Sequence, residues 1–526
     1  VAVISGTPGD DVLTGTAAAD IINGEGGNDT LDGAGGDDVL NGGVGDDVIN
    51  TGTGIDIVDG GAGDDLLNID RSGTTTGVNF TLNGPAGSDG SRAINIETME
   101  YRAGSGNDNL GVSSGLAFYW GGGGDDTLTG SANDVWLFGD NGNDTLLGGA
   151  GLDHLSGGGG DDRIETGSGS GWDVVDAGDG NDVVIGGDGQ QSISAGGGND
   201  IVEAGAGDDP ISGGGGNDTL NGGDGDDFIS GGEGVESDTV DGGAGNDVLE
   251  FRRKDVAVGI TFAVDGSVGS DGSRAINIER LIYYCGSGAD SIIGGEGNDQ
   301  LFGYGGNDIL RGGSAGMDSL VGGAGNDLLS GGAGADELIG SAGIDTVSYY
   351  SSWVGATINL DAGIGSGGEA QGDTFFGIEN VNGSQGSDYL IGTPGANVLQ
   401  GWNGNDVLAG GRSADTLTGG AGGDRFLYID PVQSPTGAGA DRITDFSRAQ
   451  GDRIELWAID ADTTVAGNQA FSFIGSGLYT GVAGQLRYSQ GAGVVTIAGD
   501  VDGDGASDFH IQLTGTIALV AADFAL

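Results

Sequence analysis

The chain has 526 residues, 122 of them Gly, with 80 Asp or Glu against 16 Lys or Arg and a formal net charge of −64. That field argues against nucleic acid and anionic membrane as partners. The single cysteine, Cys285, leaves no internal disulfide and reads as a small buried hydrophobe, and no apolar stretch approaches the ~18 residues of a membrane span.

From the N-terminus an acid returns every nine residues, followed two residues later by an aliphatic. In residues 1–69 the acids are Asp11, Asp20, Asp29, Asp38, Asp47, Asp56 and Asp65; the aliphatics are Leu13, Ile22, Leu31, Leu40, Ile49, Val58 and Leu67. Glycines precede each acid, as in Gly42-Gly43-Val44-Gly45-Asp46-Asp47-Val48-Ile49-Asn50, which is the nonapeptide G-G-x-G-x-D-x-U-x. The repeat begins almost at Val1, with no basic-then-apolar leader before it. Val1 is small enough to follow an excised Met, so the expectation is that it is the natural N-terminus.

Residues 70–103 interrupt the array with alternating apolar positions such as Val78-Asn79-Phe80-Thr81-Leu82, which read as strand. The second array, 104–250, carries Asp108, Asp126, Asp144, Asp153, Asp162, Asp173, Asp182, Asp200, Asp209, Asp218, Asp227, Asp238 and Asp247. Gln191 and Ala117 stand where an acid is due, and Asp134 arrives one residue early. An interruption at 251–285 contains Gly269–Glu279, a copy of Gly87–Glu97. The third array, 286–347, holds Asp290, Asp299, Asp308, Asp318, Asp327, Asp336 and Asp345. A third interruption, 348–383, is similar in kind, and all three read as longer strands that extend or cap the solenoid. The fourth array, 384–428, holds Asp388, Asp406, Asp415 and Asp424, with Asn397 in an acid position; the Gln191 and Asn397 turns are expected to fold but bind metal weakly. From 429 to 526 glycine thins, and Asp441–Phe446, Phe471–Ile474 and Val494–Ile497 read as strands of a small β domain.

The chemistry of the repeat is that of a hard cation. Calcium takes six or more oxygens at about 2.3–2.6 Å, and magnesium dehydrates too reluctantly to suit such a loop. Loop carbonyls and the Asp of adjacent turns supply oxygen only, which favours calcium over zinc or copper. One inward aliphatic per nine residues is a thin core, so ion binding is expected to be folding energy, with about 20–30 ions in the chain. Asp500, Asp502, Asp504 and Asp508 alternate like the start of an EF-hand loop but lack its closing Glu, Ile511 standing there; they are read as a calcium loop of another type.

These repeats resemble the RTX (repeats-in-toxin) family over about four-fifths of the chain. The resemblance implies an all-β fold: a right-handed parallel β-roll with two nonapeptides per coil, in several arrays, followed here by a C-terminal β domain. The last hundred residues, with Asp441–Phe446, Phe473-Ile474-Gly475, Gly499–Gly505 and the closing Asp523-Phe524-Ala525-Leu526, look like the C-terminal domain of the serralysin metalloproteases. That resemblance implies an uncleaved signal for type I secretion from a Gram-negative bacterium, and folding only once calcium is met outside.

The protease itself is absent. The two histidines, His154 and His510, are far apart and in no H-E-x-x-H motif, and no G-x-S-x-G elbow occurs. The leading reading is a non-enzymatic, secreted structural protein of the cell surface or matrix, with a surface-layer subunit as its sharpest form and a homo-oligomer or lattice as its assembly. The alternatives are a polysaccharide-binding adhesive protein, with Tyr119, Trp120, Trp136, Trp172, Trp353 and Trp402 as candidate stacking residues, and an enzyme with an unrecognised site.

Overall fold

A computed structural model describes all 526 residues, Val1 to Leu526. They form two compact units, Val1–Arg252 with Val264–Ile278, and Arg253–Ala263 with Glu279–Leu526. Both are all-β; the helical pieces are four short 3-10 turns. No helix is long and apolar enough to cross a membrane.

The nonapeptide divides into a turn and a strand. Alternation in the strand sends the aliphatic inward and its neighbours outward, as in Val48–Asn50, where Ile49 is fully buried. Strands pair in parallel with the strand two repeats on: Ile22 with Leu40, and Leu31 with Ile49. Two nonapeptides therefore make one coil, as expected, and the fold is a parallel β-solenoid.

In the first unit successive repeats alternate between two walls. One wall runs without interruption from Val12–Thr14 through Leu66–Asp70, Thr98–Arg102 and Leu116–Gly123 to Val248–Arg252. The opposite wall is broken at the first interruption: Arg92–Ile94 closes its first part, with Ala93 on Val58, and Asn79–Leu82 opens its second, with Phe80 on Leu110. The interruption thus lies within the walls, as strands of the solenoid itself.

A second consequence follows in the uninterrupted wall. The row carrying Leu31, Ile49 and Leu67 continues through Met99, Ala117 and Val135. It then becomes the acid row, because Val135 N–H meets Asp153 Oδ1 at 3.0 Å. The pattern has slid two residues along the strand, which is why Ala117 replaces an acid while Tyr119, fully buried, keeps the aliphatic phase.

The second unit repeats the design. Thr374–Phe376 stacks on Glu337–Ala342, and Thr357–Asn359 on Tyr389–Ile391. At its C-terminal end Asp441–Ile443 extends one wall from Thr416–Ala421 and pairs with Phe509–Thr514. That strand leads into an antiparallel sheet with Val494–Asp500 and Gln485–Gly491. Arg453–Glu455 and Phe524–Ala525 continue the other wall from Arg425–Leu427.

Close stacking of coils makes particular glycines irreplaceable. Gly325 has φ 143° and a Cβ on it would stand 1.4 Å from the Gly306 carbonyl oxygen, whereas a Cβ on Gly159 meets nothing within 4 Å. G325A is expected to cost about 1–3 kcal/mol in saturating calcium and G159A far less. Calorimetric melting of both variants checks this; equal midpoints would contradict it.

Candidate metal centre

The acids are placed by the walls and linked coil to coil through the backbone. Asp29 N–H donates to Asp47 Oδ1 at 2.8 Å, and Asp47 N–H to Asp65 Oδ1 at 2.9 Å. The same link joins Asp126 to Asp144 and Asp144 to Asp162 at 2.7 Å, and Asp308 to Asp327 and Asp388 to Asp406 at 2.8 Å. Asp173, Asp238 and Asp247 accept from Asp153, Asp218 and Asp227, and Asp108, Asp290 and Asp299 from Val78, Ile260 and Leu281.

Each link occupies Oδ1 and leaves Oδ2. The Oδ2 atoms of Asp29, Asp38, Asp47, Asp65, Asp126, Asp144, Asp153, Asp162, Asp182, Asp200, Asp209, Asp218 and Asp227 are buried with no hydrogen-bond partner. So are those of Asp308, Asp318, Asp327, Asp336, Asp345, Asp406, Asp415 and Asp424 in the second unit. They face carbonyl oxygens of the next coil. A Cβ on Gly24 would lie 2.3 Å from Asp29 Oδ2 and 2.4 Å from Gly42 O, and one on Gly139 would lie 2.3 Å from Asp144 Oδ2 and 2.5 Å from Gly157 O. A carboxylate oxygen and a carbonyl oxygen thus share one cradle, an arrangement a cation satisfies.

The carboxyls lie where their negative charge is disfavoured. Burial, then repulsion by neighbouring acids, pushes Asp126, Asp153 and Asp162 up to about 7. Burial and the same repulsion push Asp318 and Asp406 to about 8. A buried carboxylate without a counterion prefers its proton. The residues present fit calcium: oxygen donors only, acidic, and repeated on two adjacent coils. Bound there, calcium would supply the positive charge these oxygens lack.

Several predicted acids are instead closed by the chain itself. Thr7 and Thr16 donate through N–H and hydroxyl to Oδ2 of Asp11 and Asp20. Ser384 N–H donates to Asp388 Oδ2, and Gly295 N–H to Asp299 Oδ2. Asn397 accepts from Thr393 N–H at 2.8 Å while its Nδ2 donates to Glu379 O at 2.6 Å, so an amide sits where other loops present a bare carboxylate. Gln191 likewise donates to Gly189 O. Thr or Ser replaces Gly at the second loop position of the Asp11, Asp20, Asp388 and Asn397 turns, although Ser341 holds that position in the Asp345 turn without meeting Oδ2.

Other residues join the rows without being foreseen. Asp373, Asp441 and Asp452 accept from Asp336, Asp415 and Asp424 N–H, and Glu97 and Glu379 from Asp65 and Asp345 N–H. An outer, exposed ladder runs in the opposite sense: Asn28 N–H donates to Asp10, Asp46 N–H to Asn28 and Asp64 N–H to Asp46. Asp134 belongs to this type, accepting from Leu152 N–H at 2.9 Å. The Asn or Asp that stands just before many of the inward acids, as at Asn28, Asp46 and Asp64, signals it. In the C-terminal loop Asp500, Asp502 and Asp504 bring carboxylate oxygens within 4.8 Å of one another, whereas Asp508 Oδ2 accepts from Val501 N–H at 2.7 Å.

The RTX calcium-binding nonapeptide repeat family (4 copies) matches residues 5–40, 41–68, 120–155, 138–172, 168–202, 203–235, 236–250, 286–315, 312–347, 382–417 and 403–427, more than half of the chain. Among solved structures the chain is similar to the AlgE6R3 subunit of the Azotobacter vinelandii mannuronan C5-epimerase, determined in solution. Identity is 28%, covering 28% of this chain and 77% of that one, with a TM-score of 0.21. No curated protein matches the chain.

Raised carboxyl pKa values set the sign of a pH effect. A group held up in the folded state favours folding below its unfolded value near 3.8, and that support is lost as pH rises through about 6–8. Chelated protein is therefore expected to gain β structure as pH falls from 8 to about 4.5, by circular dichroism. A chelated signal that is flat or falls over that range would contradict the assignment.

Proposed function

The chain belongs to the RTX calcium-binding nonapeptide repeat family, and from that premise we propose that it is a secreted protein that folds on extracellular calcium and serves as a structural element of a cell surface or matrix. Its sharpest form is a surface-layer subunit. The observation that carries this reading is the set of buried, partnerless Oδ2 atoms repeated within each unit. A fold built this way is disfavoured where calcium is scarce and favoured where it is abundant. Repeats, interruptions in register with them and a terminal β sheet account for the whole chain.

Type I secretion from a Gram-negative bacterium is part of the proposal, supported by the likeness of the last hundred residues to the serralysin C-terminal domain. We also propose that the chain is not an enzyme. His154 stacks on Trp136 with ring centroids 5.0 Å apart, and His510 accepts from Gly437 N–H at 3.2 Å. These contacts support packing or capping roles for both histidines.

Polysaccharide binding is the second reading, and the aromatics divide on it. Trp136 lies face to face with Phe118 and His154, and Trp120 with Phe138 on one side and the Arg102 guanidinium nearby, so these ring faces cover one another. Tyr119 is buried and Trp402 packs on Tyr350. Trp353, 81% exposed, and Trp172, 54% exposed, remain open for stacking on a sugar.

Electron microscopy and sedimentation in millimolar calcium test the structural reading. Ordered sheets or filaments that dissolve on chelation are the expected result. A monodisperse monomer at every calcium concentration, together with binding on a glycan array that W353A abolishes, would favour the second.

A further inference from the structure

We propose that Arg71 is a built-in cation that takes the place of a metal ion in the loop Thr51–Asp56, so that this loop closes without calcium. The proposal rests on the calcium reading of the other loops and adds an exception to it. In the loops read as calcium cradles, such as those of Asp47 and Asp65, the acid's Oδ2 is buried and partnerless. At Asp56 it is met by Arg71 Nη2 at 3.2 Å. The same nitrogen donates to Gly54 O at 2.8 Å, and Nη1 donates to Gly52 O. One guanidinium thus gathers two loop carbonyls and the carboxylate, an all-oxygen set of the kind a hard cation takes. Arg71 is only 9% exposed, so it is an element of the interior.

The reason for a monovalent group lies in the next coil. Ordinarily an Asp of the following coil accepts the acid's N–H, and two carboxylates flank the cradle. Asp56 N–H instead meets the hydroxyl of Ser91, 35 residues on, at 3.3 Å. The coil from the interruption sets a serine hydroxyl, not an acid, against the Asp56 N–H; its nearest acid, Asp89, stands one step behind, accepting from that hydroxyl at 3.0 Å, so a single positive charge meets the one carboxylate placed directly in the loop. The neighbouring loop is an internal control. There Asp65 N–H meets Glu97 Oε2 at 3.0 Å, so the acid pair is kept. Asp65 Oδ2 is partnerless, and a Cβ on Gly60 would lie 2.5 Å from it and 2.1 Å from Asn95 O. The same interruption meets two loops; the loop facing an acid keeps an ion-ready cradle, and the loop facing a serine is filled by arginine. The sequence repeats the trio at the same spacing around the second interruption, as Asp238, Arg253 and Ser273.

The decisive experiment is anomalous diffraction from crystals of the full chain grown in millimolar calcium, at a wavelength where calcium scatters. Peaks are expected in the cradles of Asp47 and Asp65 and none beside Asp56, where the guanidinium stands. Peaks in the other cradles and also beside Asp56, with Arg71 displaced, would overturn the proposal alone. A map without ions in any loop would overturn the calcium reading and the proposal with it. In solution, R71M leaves a bare buried carboxylate and is expected to raise the calcium concentration for half-folding about two- to threefold, the loss being shared among many cooperative ions. R71K is expected to recover part of it, because an ammonium restores the charge without the planar fork. An R71M midpoint equal to wild type would count against the proposal, and should R71M fail to fold, the wild-type map decides.

Discussion

The structure depends on how each inward aspartate divides its two oxygens. Oδ1 accepts the backbone N–H of the acid one coil earlier and so fixes the stacking distance and register of the coils. Oδ2 is then held in the interior beside a carbonyl oxygen of the following coil. Two acceptors facing each other out of water repel, and nothing in the repeat itself relieves them. The bond that builds the solenoid therefore also creates its need for a cation, and stability becomes a function of the medium.

The chain departs from this rule mostly where the repeat is incomplete, although the complete Asp299 turn is closed by Gly295 N–H, and each departure supplies a donor of its own. Thr hydroxyls close the Asp11 and Asp20 turns, Ser384 N–H closes the Asp388 turn, an amide closes the Asn397 turn, and Arg71 closes the Asp56 turn. Tyr349 does the same for Asp373, its hydroxyl donating to Oδ2 at 2.5 Å. Stacked aromatics such as Phe118 on Trp136 lie on coils whose acid row is occupied by Ala117 and Val135, so side-chain stacking outside accompanies the missing acid inside.

Much of this was legible in the sequence because it is periodic. The nine-residue spacing of Asp and the aliphatic two residues later place Ile49 or Leu146 inside and pair each strand with the one two repeats on. What was not legible depends on the interruptions, whose strands enter the walls at positions that no fixed period specifies. The slide that lines Leu67 up with Met99 and Val135 with Asp153 arises there. So does the recruitment of Asp373, Asp441 and Glu97 into the acid rows. Arg71 is invisible for the same reason: it lies 15 residues beyond the acid it serves and outside any repeat. The outer Asn and Asp ladder was overlooked for another reason, because exposed polar residues before each acid pass for ordinary turn chemistry.

The central claim is that cations between adjacent coils hold the solenoid closed. Small-angle scattering of the full chain at pH 8, in excess chelator and then in millimolar calcium, tests it most directly. The account predicts an expanded, flexible chain that contracts to a compact particle as calcium is added. A chelated sample already as compact as the calcium-loaded one would contradict it.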